Sequence, residues 1–441
     1  MKMEELTKVL REAGVVGAGG AGFPSYAKLN KAADTIVLNC AECEPLLKLH
    51  RQVLEKYALE IMTALDIVAD ACEVNRVIIA VKGSYKGAID AVKANLDSFK
   101  KIEIGILPEI YPAGDEVITI YETTGRVVPP GSIPISVGVI VYNVETMLNA
   151  YNAIKNSEPV TEKYITVAGE VKNPITVKVP LGTRFDDVIA LAGGTTIDDY
   201  VIINGGPMTG PKANIFDTVT KTTNALLILP SNSFVAEKRK QNVKVDVNRA
   251  KSACCQCRMC TDLCPRNLLG HPIEPHAFMN ALANNAASQV DAVVNTFFCS
   301  QCGLCEMYSC FQGLSPKTLI GVAKGNLRKN GVSIPKVDAA PVEPKRDYRR
   351  VPMKRLTARL GLTQYNLPAP LDETAVKPTT VKIKLSQHIG APCVAKVSVG
   401  DKVEKGQVIG CTDEGKLGVC IHSSIAGSVV DVNDQFVTVK A

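Results

Sequence analysis

Over the first third of the chain, short apolar blocks alternate with amphipathic stretches. Thr35–Cys40, Arg76–Val81, Ile102–Leu107 and Val137–Tyr142 are nearly continuous apolar runs of strand length, as expected of strands buried on both faces. Residues 4–12, Tyr85–Phe99 and Val144–Lys155 instead space their apolar residues as helices do. Strands and helices in alternation predict an α/β layer with a mostly parallel sheet over residues 1–160. A glycine-rich loop, Gly14 to Gly22, follows the first helix.

Near residue 161 the pattern changes. Tyr164–Val167 and Ile175–Val179 flank a turn at Gly169 and Asn173-Pro174, and Arg184–Leu191 reads as a helix. Glycines at 193, 194, 205, 206 and 210 punctuate the rest. This predicts a small α+β module over 161–232. Residues 233–334 read as helices separated by cysteine motifs. Residues 335–375 hold six prolines (335, 341, 344, 352, 368 and 370) and the basic residues Lys345, Arg346, Arg349, Arg350, Lys354, Arg355 and Arg359. An extended, solvated linker with one short helix is expected there, its basic run a solvent face or a dock for an acidic partner. Short strands and glycine turns over 376–441 predict a small β-barrel or sandwich. The whole is a multidomain α/β chain.

Composition narrows the function. The chain has 441 residues, no Trp, 5% aromatics and a net charge of +6. Stacking platforms for nucleic acid are scarce and the charge excess is mild, so no nucleic-acid partner is expected. The first residues lack the apolar core of a signal peptide, and no apolar run reaches membrane-spanning length. A cytoplasmic chain is expected. Its fifteen cysteines then point to metal or redox work.

Eight of them form two motifs. The first is Cys254-x2-Cys257-x2-Cys260-x3-Cys264-Pro265, the second Cys299-x2-Cys302-x2-Cys305-x4-Cys310. Three closely spaced thiolates wrap one corner of a cubane cluster, and the fourth must come from elsewhere. In two-cluster ferredoxins the fourth Cys of each run serves the other cluster. Two [4Fe–4S] clusters are therefore expected, one on Cys254, Cys257, Cys260 and Cys310, the other on Cys299, Cys302, Cys305 and Cys264. Zinc, the alternative, favours paired knuckles over triple runs ending in Cys-Pro. The second run departs from the usual form at Cys310, with a longer gap before it and Phe311 after it. Cys255 reads as a bystander thiol, and Cys40, Cys43, Cys72, Cys393, Cys411 and Cys420 as small buried hydrophobes. The histidines His50, His271, His276, His388 and His422 are scattered; His271 and His276 follow the first motif and could tune a cluster by hydrogen bonding.

Gly17-Ala18-Gly19-Gly20-Ala21-Gly22 matches G-x-G-x-x-G in letters only. A dinucleotide fingerprint needs a strand before the glycines; here a helix precedes them, so a Rossmann site is refused. The loop still offers backbone N–H groups free of side chains to a phosphate or a flat ring.

With these residues in view, the chain resembles a known family. Gly14 to Pro24 is similar to the flavin loop of the NADH-oxidising flavoprotein subunit of complex I, and closer to the RnfC subunit of the Rnf electron-transport complex. Asn39-Cys40-Ala41-Glu42-Cys43-Glu44-Pro45, Tyr111-Pro112-Ala113-Gly114-Asp115-Glu116 and Tyr142-Asn143-Val144-Glu145-Thr146 resemble further family segments in order, although Ala41 replaces an acidic residue of complex I. Residues 161–212 resemble the β-grasp (SLBB) domain. His388–Pro392, Gly400–Gln407 and Ile421–Gly427 resemble the barrel-sandwich domain that opens the Rnf subunit. Its place at the end of this chain looks like the cobalamin reductases of propanediol-utilisation microcompartments, and like a related proline reductase electron-transfer protein. Gly400–Gln407 also resembles lipoyl domains, but the flanks of Lys416 do not match a lipoylation site.

The resemblance implies a complex I-like FMN domain, a β-grasp domain, a helical two-[4Fe–4S] ferredoxin-like domain and a barrel-sandwich domain. It implies FMN and NADH bound by Gly17, Ala18, Gly19, Gly20, Gly22, Phe23, Lys28, Asn39, Glu42, Glu44, Tyr111, Gly114, Glu116, Asn143 and Thr146. It implies an oxidoreductase passing electrons to a corrinoid, in the cytoplasm or a bacterial microcompartment. A carrier delivering electrons to a partner protein, within an oligomer or larger complex, is the other reading. No Ser-His-Asp or H-E-x-x-H pattern offers a nucleophile or metal base.

Overall fold

The computed structural model describes residues 1–240, 242–286 and 288–441. Helix α1 (Met3–Glu12) buries Leu6 and Leu10. Strand β1 (Thr35–Cys40), helices α2 (Leu49–Lys56) and α3 (Ala58–Ala71), strand β2 (Arg76–Lys82), helix α4 (Lys86–Lys93), strand β3 (Ile102–Leu107), the short strand β4 (Ile110–Tyr111), helix α5 (Glu116–Thr124), strand β5 (Val139–Asn143) and helix α6 (Val144–Tyr151) follow. The four long strands pair in parallel in the order β3-β2-β1-β5. Ile36 and Leu38 point into a core shared with α2, α3, α4 and α6, while Val37 points to the other face, against Val117, Ile118 and Ile120 of α5. Both faces being covered explains why these strands read as continuous apolar runs.

Several bounds differ from expectation for local reasons. The fourth strand starts at Val139 because Gly138 sits at φ +74°, outside the extended region. The helix at 85–99 stops at Lys93, where the Asn95 side chain donates to the Ala91 carbonyl. The helix at 144–155 ends at Tyr151 and continues as a wider turn, Asn152–Asn156. The sequence reading set no bounds for α2 and α3.

The next module holds β6 (Glu162–Gly169), β7 (Ile175–Pro180), α7 (Phe185–Leu191), β8 (Tyr200–Asn204), β9 (Lys212–Ala213) and β10 (Ala225–Pro230). The helical module is built on Val243–Ala253, Pro275–Ala283 and Pro316–Lys329 around a small core of Ala250, Phe278, Met279, Leu314, Leu319 and Ile320. In the last module two small sheets enclose Val381, Ile383, Ile409, Ile421, Val429, Val437 and Val439.

The segment expected as a solvated linker is a docked strap. Val351–Pro352 pairs antiparallel with β4, and Leu371–Asp372 joins the β-grasp sheet beside β7. Val351, Leu356, Leu360 and Leu362 belong to the main core. Arg346 is buried and pairs with the Glu122 carboxylate of α5, which Arg350 also approaches at 3.4 Å. A half-buried carboxylate is favoured by a nearby cation, and these arginines supply it. Lys345, Lys354, Arg355 and Arg359 do remain exposed. A second correction concerns two cysteines taken as buried hydrophobes. Adjacent antiparallel strands bring Cys411 and Cys420 to a Cα separation of 4.2 Å, and they form a disulfide. Cys40, Cys72 and Cys393 are buried and Cys43 is half-buried. Among the described residues no helix is long and apolar enough to cross a membrane.

Candidate functional site

A chamber of about 540 Å³ opens where the glycine loop meets the carboxyl ends of β1 and β5, the usual ligand position in an open parallel sheet. Of the predicted residues, Gly17, Gly19, Gly20, Gly22, Phe23, Lys28, Asn39, Gly114, Glu116, Asn143 and Thr146 line it. The loop is folded back on itself, with Gly17 N donating to the Phe23 carbonyl at 2.9 Å. Ala18 lines no wall; its N–H donates to Thr146 Oγ1 at 3.0 Å and ties the loop to α6. A Cβ on Gly19 would lie 2.4 Å from Asn143 Nδ2. That amide cannot easily retreat. Its Oδ1 caps α6 by accepting from Glu145 N at 3.0 Å, and its Nδ2 donates to His50 Nε2 at 3.2 Å. Burial lowers the His50 pKa, so the ring is neutral and its Nε2 is free to accept.

Two further residues set polarity. Asn39 Nδ2 donates to the Gly114 carbonyl at 2.9 Å, while its Oδ1 accepts from Ala41 N at 3.0 Å. Lys28 Nζ donates to Glu116 Oε1 and to the Val141 carbonyl, each at 2.8 Å, and so aims an ammonium along the chamber wall. The glycine cradle with fixed amides and one lysine fits a flat ring carrying a phosphate.

Three predicted residues lie away from the chamber lining. Glu42 is buried in an ion pair with Arg51 at 2.7 Å and accepts from His50 N at 2.7 Å. Burial alone would raise its pKa; Arg51 and His50 hold it below the ordinary value instead. Glu44 reaches into the β-grasp module, accepting from Met208 N at 2.9 Å and Thr209 Oγ1 at 2.6 Å, and burial raises its pKa. Tyr111 points the other way, and its hydroxyl donates to the Cys302 carbonyl at 2.6 Å. Conversely, Ile389 of the last module and Ile133, Pro134 and Ile135 wall the chamber, though the sequence reading named none of them. The Ile133–Ile135 stretch, apolar and proline-bearing, offered a weak signal; Ile389 and His50 offered none.

The cysteine motifs fold as the same turn twice. Gln256 and Gln301, each two residues after the first Cys of its run, sit at φ +55° and +60°. Gln256 Nε2 donates to Cys254 Sγ at 3.3 Å, as Gln301 Nε2 does to Cys299 Sγ. Burial raises the Cys260 thiol pKa to about 12, with Cys310, Cys257 and Cys254 adding to the rise. Cys305 is raised by burial and then by Cys299, Cys302 and Cys264. Beyond burial, the thiols that raise one another fall into two neighbouring sets, and each set contains the fourth Cys of the opposite run. Thiols that repel this way suit a cationic iron core that neutralises them. Of the two histidines, His271 turns away, its Nε2 meeting the Val128 carbonyl at 3.0 Å, whereas His276, whose Nδ1 meets Thr261 Oγ1 at 2.8 Å, lines the cleft shared by Cys254, Cys257, Cys260 and Cys310.

Four domain families match in order: the Nuo51 FMN-binding domain at residues 10–152, the SLBB domain at 164–212, a 4Fe-4S dicluster domain at 253–315 and the RnfC barrel sandwich hybrid domain at 369–441. The cobalamin reductase PduS of Salmonella typhimurium (strain LT2) is 41% identical over 440 residues, spanning 100% of this chain and 97% of that protein. The chain belongs to the PduS cobalamin reductase family. Like that family, it is an oxidoreductase, and it carries FMN and [4Fe–4S] clusters. It is also 32% identical over 275 residues to the C subunit of the proton-translocating ferredoxin:NAD(+) oxidoreductase complex of Clostridium ljungdahlii, covering 61% of this chain and 57% of that one. A chain of an NAD+-reducing [NiFe]-hydrogenase crystal structure aligns with TM-score 0.49 at 18% identity, over 77% of this chain and 64% of that one.

Proposed function

We propose that this protein oxidises NADH and reduces a corrinoid, cob(II)alamin to cob(I)alamin. FMN supplies the chemistry no side chain here can: it accepts hydride as an electron pair and releases electrons singly. The balance is one NADH to NAD+ and a proton, with two electrons delivered to two corrinoids. The glycine loop, Lys28, Asn39, Asn143 and Thr146 hold the flavin, and Phe23 with Glu116 stands where the nicotinamide enters. Cys254, Cys257, Cys260 and Cys310 hold one cluster; Cys264, Cys299, Cys302 and Cys305 hold the other. Glu42 and Glu44 brace this machinery from outside the chamber lining, and Tyr111 braces it through the Cys302 carbonyl. The reaction takes place in the cytoplasm, inside a microcompartment.

One observation carries the reading. A single chain, 41% identical end to end with a protein named cobalamin reductase, holds a flavin-sized chamber and a segment that matches a 4Fe-4S dicluster domain. Anaerobic protein loaded with FMN and iron–sulfur, given NADH and cob(II)alamin, is expected to form cob(I)alamin, trapped as the alkyl derivative. Turnover that appears only when a partner protein is added overturns the enzyme reading and favours a carrier. Cosedimentation with purified shells tests the location.

A further inference from the structure

One loop, residues 111–116, meets both the chamber and a cage. Gly114 and Glu116 line the chamber. Three residues before Gly114, Tyr111 donates its hydroxyl to the carbonyl of Cys302 at 2.6 Å. Tyr111 is 3% exposed, so water offers that hydroxyl no alternative partner. Directly after Gly114, Asp115 takes a two-pronged ion pair from Arg266, Nη2 donating to Oδ1 at 2.8 Å and Nε to Oδ2 at 3.3 Å. Arg266 lies two residues beyond Cys264, and a planar fork of this kind fixes orientation as well as distance. The same short loop is therefore bolted at two points to the cage of Cys264, Cys299, Cys302 and Cys305. Three residues of chain span at most about 11 Å, which bounds the gap from the chamber wall at Gly114 to the Tyr111 backbone.

The other cage is differently placed. Cys257 and the adjacent Cys255 are exposed, whereas Cys305 is buried. Met259 and Phe311, 40% and 59% exposed, flank the first cage at the surface. No hydrogen bond or ion pair joins loop 111–116 to Cys254, Cys257, Cys260 or Cys310 among the described residues.

We propose that Tyr111 is a positioning residue for electron transfer: it locks the Cys302 turn to the flavin chamber, making the Cys264/Cys299/Cys302/Cys305 site the first electron acceptor and the Cys254/Cys257/Cys260/Cys310 site the outlet. This rests on the flavin-to-cluster reading above. Electron transfer falls off steeply with distance, so the set tied by this loop to the chamber wall is the one placed to receive an electron first. With flavin and clusters bound, one electron would pass at each step, toward the site that Cys264, Cys299, Cys302 and Cys305 would hold and then toward that of Cys254, Cys257, Cys260 and Cys310, with no bond made.

The test starts from light-reduced flavin, so that it does not depend on NADH. In Cys302→Ser, flavin electrons are expected to stop short of the outer cluster, which dithionite still reduces; in Cys257→Ser they are expected to reach the inner cluster normally, read by freeze-quench electron paramagnetic resonance. The dithionite spectra report that each variant is folded. Tyr111→Phe keeps every thiol and covers the case in which a serine variant loses both clusters. It is expected to retain full flavin and iron, shift the midpoint potential and resonance line shape of the inner cluster alone, and slow its reduction several-fold. Wild-type potentials and rates in Tyr111→Phe, or an outer cluster that reduces normally in Cys302→Ser, overturn the proposal. Failure of NADH to bleach the flavin overturns the proposed donor and leaves this order standing.

Discussion

The flavin chamber and the thiol cages are built by opposite means. The chamber is finished by the polypeptide alone. Its floor is a parallel sheet covered on both faces, and each polar wall residue has its partners: Asn39 on Gly114 and Ala41, Asn143 on Glu145 and His50, Lys28 on Glu116 and Val141. Behind it Glu145 and Lys163 form a fully buried ion pair, with Asn224 accepting from the same ammonium at 2.9 Å. The cages have little of this. They stand on left-handed turns at Gln256, Arg258 and Gln301, a small core around Phe278 and Leu319, and thiols whose pKa is raised by burial and then by one another. A preorganised cavity can wait for its ligand, whereas a ring of repelling thiolates depends on the metal to hold it.

Removing iron makes the sharpest break between them. Chelation is expected to abolish hydrogen-exchange protection across residues 243–330 while β1, β2 and β5 keep theirs; equal protection in both regions would erase the contrast. The reverse lesion is Glu145→Ala, which strands the buried Lys163 ammonium. It should cost the flavin domain about 3–5 kcal/mol in denaturant unfolding and leave the iron–sulfur absorbance of the folded protein unchanged. Loss at the exposed pair Lys8–Glu12 should cost less than about 1 kcal/mol.

A smaller change acts inside the chamber. Gly19→Val drives a side chain into the pinned Asn143 amide. Overpacking of about 1–3 kcal/mol would weaken FMN roughly 5- to 150-fold, read by flavin fluorescence, with cluster content intact. Undiminished FMN binding would show that the loop yields more than the geometry implies. Finest of all is His50→Ala, which removes one hydrogen bond from Asn143. FMN affinity should fall by about 1 kcal/mol. The same bond sets a pH dependence. Burial holds the His50 pKa below its ordinary 6.5, so the unfolded state takes up the proton first as pH falls. The stability due to neutral His50 is complete above 6.5 and declines below it, toward the folded pKa. His50→Ala should flatten that part of the profile; an unchanged profile would remove His50 from the chamber's support.

Much of this was legible in local spacing. The thiol runs and the glycine loop announce themselves because their chemistry demands fixed residue types a few positions apart, whereas Asn39, Asn143 and Thr146 were reached only through the family resemblance; these three residues and the loop glycines 17, 19, 20 and 22 line one chamber. The strands of the flavin domain were legible for the same kind of reason, since burial on both faces leaves continuous apolar runs. Residues 335–375 misled because proline and arginine describe an isolated segment correctly and say nothing of Glu122, a half-buried carboxylate far away in the chain that pairs with the buried Arg346. Glu44 and Tyr111 sat in recognisable motifs, yet they brace neighbouring modules and face away from the chamber.

The sequence by itself therefore determined which ligands this protein can hold, because ligand chemistry is written in short patterns of side chains. Only the tertiary structure decided how those sites relate. That the barrel's Ile389 walls the flavin chamber, that His50 backs Asn143, and that Tyr111 and Asp115 bolt one cage and not the other all depend on contacts between distant segments. Such contacts arise from packing whole modules together, and no local period or spacing encodes them.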